Sequence, residues 1–276
     1  MSSGGQYVLG HSEAELRRLE SQARVIDPVT RRFLVEAGVG PGMRVLDVGS
    51  GAGDVALLLA DLVGPGGSVV GFDPSAAGID AARAKVAARA LMNVTFHVGT
   101  IDELSFDEPF DAVVGRYVLQ FHPKPAELLA AVAAKARPGA PVVFHELDWS
   151  GVVSEPASPT YDQVTRWLQE AIERSGASAH SGLTLPATYV AAGLGDPVLR
   201  LEQRIGAGRE ALEVVERMAQ LAVTLAPALA AYGIVTAGAL DAGSLVERML
   251  AETTTLHSVL RSHLQVGAWA PAPPVG

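Results

Sequence analysis

The sequence predicts an α/β fold: a mostly parallel sheet with helices on both faces, followed by a helical cap. Three observations predict it. Five short apolar, β-branched runs alternate with amphipathic stretches of helical period across residues 40–150. The first run, Arg44–Val48, breaks into Gly49-Ser50-Gly51-Ala52-Gly53, and a helical pattern opens at Asp54. The second run, residues 68–72, ends on Asp73 and is followed by another helical pattern.

Strand, glycine turn and helix in that order make a nucleotide site. Gly49, Gly51 and Gly53 let the backbone turn tightly and approach a ligand, while helix N–H groups face the same space. A carboxylate at the tip of the neighbouring strand, Asp73, is placed to accept both hydroxyls of a ribose. The dinucleotide fingerprint G-x-G-x-x-G would need glycine at position 54, where the chain has Asp54. An acid there opposes a pyrophosphate, and is tolerated by a phosphate-free ligand.

The elements can be justified in order. Tyr7 and His11 fall in a glycine-containing loop, and Ser12 with Glu15 forms a capping box for a helix whose Leu16, Leu19, Ala23 and Ile26 share a face. Asp27-Pro28 restarts the helix, which runs to Gly38. After the glycine turn, a helix ends near Gly64, and Ser75 caps another to about Ala90. Further strands are expected at 94–98, 110–114 and 142–147, with an amphipathic helix at 125–137 stopped by Pro138-Gly139. Such alternation calls for right-handed crossovers, with ligands outside the carboxyl ends of the strands.

From Ser150 the rhythm changes. Helices are expected at 159–174, 186–192, 208–230 and 241–253, and strands at 198–204 and 257–268. The domain organisation reads as an N-terminal helical gate (1–38), a cofactor-binding core (39–150), remaining core strands with a helical substrate cap (151–270), and a disordered tail (271–276). The chain carries a net charge of −9 with no dense Lys/Arg block, which argues against nucleic acid as partner. Zero cysteines leave no disulfide framework and no thiolate metal site. The uncharged stretch 218–240 is interrupted by Pro227, Gly233 and Gly238, so it reads as two buried helical pieces in a lid or homodimer interface, with no membrane span. The start lacks a charged-then-apolar signal, and a cytoplasmic location is the expectation.

VLDVGSGAGD resembles the first motif of class I S-adenosylmethionine-dependent methyltransferases, and GFDPS is similar to the second. GTIDELSF, FDAVVGRYVLQF and RPGAPVVFHE resemble the third, fourth and fifth, in order and at the family's spacing. The resemblance implies a Rossmann-like sheet of seven strands, the last antiparallel, with S-adenosyl-L-methionine as cofactor. By position it implies that Gly49, Ser50, Gly51 and Gly53 line the methionine part, and that Asp73, beside Pro74, holds the ribose. Arg116 and Tyr117 would meet the ammonium end. The family's adenine-reading aspartate is replaced by Thr100, so Thr100 and Ile101, with Asp102 nearby, are the candidates for that contact. Gln22 is a further candidate for cofactor binding.

Methyl transfer needs alignment of nucleophile, methyl and sulfur, exclusion of water and, for some acceptors, a base. The catalytic candidates are His145 and Asp148, leaving the fifth strand, and Tyr7 in the gate. Strand alternation places His145 and Glu146 on opposite faces. Tyr7, Phe121, His122, Glu146, Trp149 and Trp167 are the substrate-binding candidates, the aromatic rings suiting a planar guest. His257 and His263 share a face with no carboxylate beside them, so no metal is expected. The expectation is a methyltransferase acting on an apolar, aromatic small molecule of specialised metabolism, at oxygen, nitrogen or an indole-like ring carbon. Two alternatives stand beside it: a cofactor-binding scaffold of the same fold with a non-transfer reaction, and an NAD-dependent oxidoreductase.

Overall fold

A computed structural model describes residues 26–274. Helix α1 (26–36) leads into β1 (Arg44–Val48), α2 (Asp54–Val63), β2 (Ser68–Asp73), α3 (Ala76–Ala88), β3 (Val94–Val98), β4 (Ala112–Arg116), α4 (Pro125–Ala133) and β5 (Pro141–Asp148). There follow β6 (Val153–Glu155), α5 (Pro159–Arg174), α6 (Ser181–Ala191), β7 (Val198–Ala207), α7 (Ala211–Thr224), α8 (Ala226–Ala231), α9 (Ala242–Leu256) and β8 (Val259–Pro271). The strand order is β3-β2-β1-β4-β5-β8-β6, with β7 also on β8. Neighbours among β1 to β5 are parallel, and β6 meets β8 antiparallel. One strand more than the expected seven is present, because the three-residue β6 is too short to leave a periodic signal.

Two compact units are distinguished. The first comprises 26–146, 182–200 and 266–274. Its core takes Phe33 and Leu34 of α1, Leu59 and Val63 of α2, Ile79 and Ala82 of α3, Val45 of β1 and Val114 of β4. Each helix offers one apolar stripe to it. The second unit comprises 147–181 and 201–265. There α5, α7, α8 and α9 enclose Tyr161, Leu168, Val215, Met218, Leu229 and Met249. Pro227 falls in the first turn of α8, so the uncharged stretch does divide into separate helical pieces. Among the described residues no helix is long and apolar enough to cross a membrane.

Several boundaries differ from expectation for identifiable reasons. Strand β4 starts two residues late because Phe110 pairs with Ala136 in an isolated bridge, while Asp111 accepts the Arg44 N–H at 2.9 Å. The same bridge ends α4 at Ala133. Helix α6 begins at Ser181, so Pro186 lies inside it and not at its start. Tertiary anchors outweigh the proline, since buried Tyr189 donates its hydroxyl to Val142 O at 3.0 Å or Ala268 O at 2.8 Å. The tail is ordered at its beginning: Pro271 ends β8, the Ala272 N–H donates to Ala140 O, and the Gly139 N–H donates to Ala272 O.

Candidate functional site

The turn after β1 is left-handed at Gly49 (φ 62°), Gly51 (φ 48°) and Gly53 (φ 82°). The reasons for glycine differ. A Cβ at Gly49 would lie 2.8 Å from Val118 Cγ2, and one at Gly53 would lie 2.8 Å from Ala82 Cβ, so packing excludes both. A Cβ at Gly51 would meet nothing within 4 Å. That glycine faces open space.

Asp73 sits beside this space. Its Oδ2 accepts the Gly51 N–H at 3.0 Å and its Oδ1 accepts the Ser75 N–H at 2.8 Å. The carboxylate is thereby fixed across the turn, half-buried, and each oxygen keeps a lone pair for a further donor. The Asp54 charge, expected to oppose a pyrophosphate, is paired with Lys85 at 2.7 Å. The case against a dinucleotide therefore rests on the missing glycine rather than on an unpaired charge.

Beneath the turn lies a group that sequence reasoning missed. Asp47 is buried within β1, and its Oδ2 has no hydrogen-bond partner. Desolvation pushes its carboxyl up to about 8; Arg116 opposes this, while Asp73 and Asp54 reinforce it. A charge inside the apolar run RVLDV was the available signal, because buried acids are rare unless paired or used. Ser50 Oγ is likewise buried without a partner.

At the end of β3, the Thr100 N–H and hydroxyl both donate to Glu103 Oε2, at 2.8 and 2.9 Å. These bonds hold the Glu103 carboxyl below its usual range. The Thr100 hydroxyl is thus engaged within its own turn, whereas Ile101 is buried and Asp102 and Pro74 are exposed.

At the ends of β4 and β5, Arg116 Nη1 donates to Asp27 Oδ1 at 2.7 Å and to Thr30 Oγ1 at 3.0 Å. Tyr117 is left-handed (φ 58°) and its N–H donates to His145 O at 2.9 Å. His145, expected as a base, is buried between the rings of Phe33 and Tyr117, at centroid distances of 5.1 and 5.3 Å, with Nδ1 3.1 Å from Thr30 Oγ1. Glu146 points the other way, as alternation requires. It is fully buried and accepts the N–H groups of Val118 (2.9 Å), Leu119 (2.9 Å) and Gln120 (3.3 Å). Its carboxylate holds the loop after β4 in place of the expected contact with substrate.

Asp148 is buried, accepts the Ser150 N–H at 2.9 Å and lies 3.7 Å from His180 Nδ1. His180 Nδ1 is 3.0 Å from Ser150 Oγ, an association the sequence did not signal. Trp149 is buried edge-to-face on His263, ring centroids 4.1 Å apart, and Trp167 packs half-buried on the same apolar core. Both rings pack on the second unit's apolar interior. Phe121 and His122 are exposed in the first unit, where His122 Nδ1 accepts the Lys124 N–H at 3.2 Å. Tyr7, Gln22 and the helix expected at 12–26 up to position 25 lie outside the described residues. Among the described residues no group of three or more His, Asp or Glu is placed to hold a metal ion.

Residues 40–180 match the family model described as "Methyltransferase domain". The chain belongs to the class I S-adenosylmethionine-dependent methyltransferase family. This methyltransferase-family chain is 34% identical over 139 residues to a ubiquinone biosynthesis O-methyltransferase of Hahella chejuensis, covering 50% of this chain and 55% of that protein. It is 36% identical over 112 residues to an arsenite methyltransferase of Halobacterium salinarum, covering 40% of this chain and 29% of that protein. The chain thus spans about half or less of the length of these relatives. Its fold is shared with a crystal structure of a methyltransferase from Bacillus halodurans (TM-score 0.57, 17% identity, 88% of this chain and 97% of that one). The family's cofactor fits the residues present: Gly51 opens onto space, Asp73 offers lone pairs beside it, and Asp47 Oδ2 and Ser50 Oγ are polar atoms still unpartnered.

Proposed function

We propose that this chain is an S-adenosylmethionine-dependent methyltransferase acting on an apolar, aromatic small molecule. One observation carries the reading: the Asp73 carboxylate is held 3.0 Å from the Gly51 amide, beside a glycine that faces open space. Gly49, Ser50, Gly51 and Gly53 would support the methionine part, Asp73 with Pro74 the ribose, Thr100 and Ile101 the adenine side, and Arg116 and Tyr117 the ammonium end. When bound, the cofactor supplies an electrophilic methyl group. Glu146 fixes the loop 118–120 that borders the turn, and Phe33, Thr30 and Tyr117 hold His145 rigidly enough to act as a base or to orient one.

The substrate class follows from charge and composition. A net charge of −9 disfavours polyanionic acceptors. Trivalent arsenic is soft and seeks thiolates, and this chain has no cysteine to hold it. An acceptor akin to the ring of a quinol, as the name of the Hahella relative suggests, suits it better.

The test is calorimetric titration with S-adenosylmethionine, then detection of S-adenosylhomocysteine over a panel of quinols, phenols and indoles. Asp73→Ala should weaken cofactor binding by about 2–3 kcal/mol, the loss of a charged acceptor for two hydroxyls. Binding of NADH with no binding of the methyl donor would overturn the reading. Donor binding without product across the panel would leave a scaffold in its place.

A further inference from the structure

We propose that β7 is a dimer edge, at which two copies of this chain join by antiparallel β7–β7 pairing about a two-fold axis at Gln203. Among the described residues β7 pairs with β8 alone, so it presents a ten-residue sheet edge. Natural edges are blunted by proline, lysine, bulges or brevity. The sequence VLRLEQRIGA contains no proline or lysine, and Val198, Leu199, Leu201 (53% exposed) and Ile205 (60% exposed) are apolar and solvent-facing. Its two arginines are engaged by acids of their own chain: Arg200 Nε meets Glu36 Oε2 at 2.6 Å, and Arg204 pairs with Glu213. This edge attracts a strand.

The sequence selects a second copy as that strand, and selects the register. Antiparallel pairing centred on Gln203 sets Leu201 opposite Ile205 twice and brings no like charges face to face, over a ladder from 199 to 207. Each face is then self-complementary, as an isologous interface requires. Centring on Glu202 would set that acid against its own copy and Arg200 against Arg204; centring on Arg204 would oppose two guanidinium groups. Centring on Leu201 keeps an Arg200–Glu202 pair, but it shortens the ladder to 198–204 and sets Leu199 against Gln203. The axis at Gln203 wins on charge and on length. It also moves the interface away from the 218–240 stretch, whose Met218, Ala222 and Leu229 are spent on the second unit's own core.

The absence of native cysteine makes the register directly readable. Leu201→Cys and Ile205→Cys full-length chains are oxidised separately and mixed. Directly opposed Cα atoms lie ~4.5–5.5 Å apart, within disulfide range. Residue 201 and its own copy are offset by four positions along the strand, ~13 Å. A covalent dimer should form only in the mixture. Light scattering on wild type should give twice 28.6 kDa, and Ile205→Lys or Leu201→Lys should return it to 28.6 kDa with an unchanged circular dichroism spectrum. A wild-type mass of 28.6 kDa across the concentration series overturns the proposal. So does a dimer that survives both lysine variants, or a mixture that fails to cross-link.

Discussion

Thr30 Oγ1 stands 3.1 Å from His145 Nδ1, 3.0 Å from Arg116 Nη1 and 3.1 Å from Ile26 O. A hydroxyl has one hydrogen and two lone pairs. The guanidinium only donates and the Ile26 carbonyl only accepts, so the Thr30 hydrogen goes to Ile26. One lone pair takes Arg116 and the other takes the His145 Nδ1–H. The neutral imidazole is therefore the Nδ1–H tautomer, with its lone pair on Nε2. A residue in the first turns of α1 thus decides which nitrogen of a candidate base can accept a proton.

Thr30→Val keeps the shape and removes that hydroxyl. It leaves two buried or half-buried donors, from Arg116 and His145, without this acceptor. Unfolding in urea should show a loss of about 1–3 kcal/mol. The imidazole nitrogen shifts of His145 should also move away from a single tautomer. An unchanged midpoint together with unchanged shifts would show that the hydroxyl does not set the ring.

Asp47 gives a pH dependence of definite sign. Its folded carboxyl is pushed up to about 8, whereas an unfolded aspartate titrates near about 3.9. Between those values the folded chain holds a proton that the unfolded chain has released. Stability is therefore full below the lower value and falls as pH rises, by up to ~1.4 kcal/mol per unit. Asp47→Asn removes the titration and keeps an acceptor for the Ala56 amide. The variant should gain on wild type steadily in melting temperature as pH is raised through the window, and match it under acid conditions. A constant offset at all pH values would place the carboxyl in a wetter setting.

Local signals carried the first half of the chain well. The strand Arg44–Val48, the glycine turn and Asp73 each announce themselves within a few residues, and the structure sets Asp73 against the Gly51 amide. Longer-range partners were illegible. Nothing near Glu146 in the sequence says that its carboxylate gathers three amides at 118–120, or that Thr30, 115 positions before His145, meets its ring. Trp149 was equally illegible: aromatic composition suited a substrate wall, but its ring is buried in the helical unit's core, with Trp167 packed half-buried against the same core. Even β4 slid by two residues, because a bridge from Phe110 to Ala136 outweighed local propensity.

His263 supplies the opposing slope. Burial, with the Arg217 charge adding to it, pushes its imidazole down to about 4; its Nε2 is buried without a partner and its ring meets Trp149 at 4.1 Å. An unfolded histidine titrates near about 6.5. Between about 6.5 and about 4 the unfolded chain takes a proton that the folded chain refuses, so this stability is present above the window and lost as pH falls. Asp47 acts in the reverse sense over much of that range, so wild type should show a muted acid limb. Asp47→Asn should steepen the limb and His263→Gln should reverse it, so that stability rises as pH falls, with the double variant flatter than Asp47→Asn alone. The Cε1–H resonance of His263 should stay fixed on acidification until well below the midpoint of an ordinary histidine. A titration centred near about 6.5 would mean that the ring is hydrated, and the acid limb would then need another group.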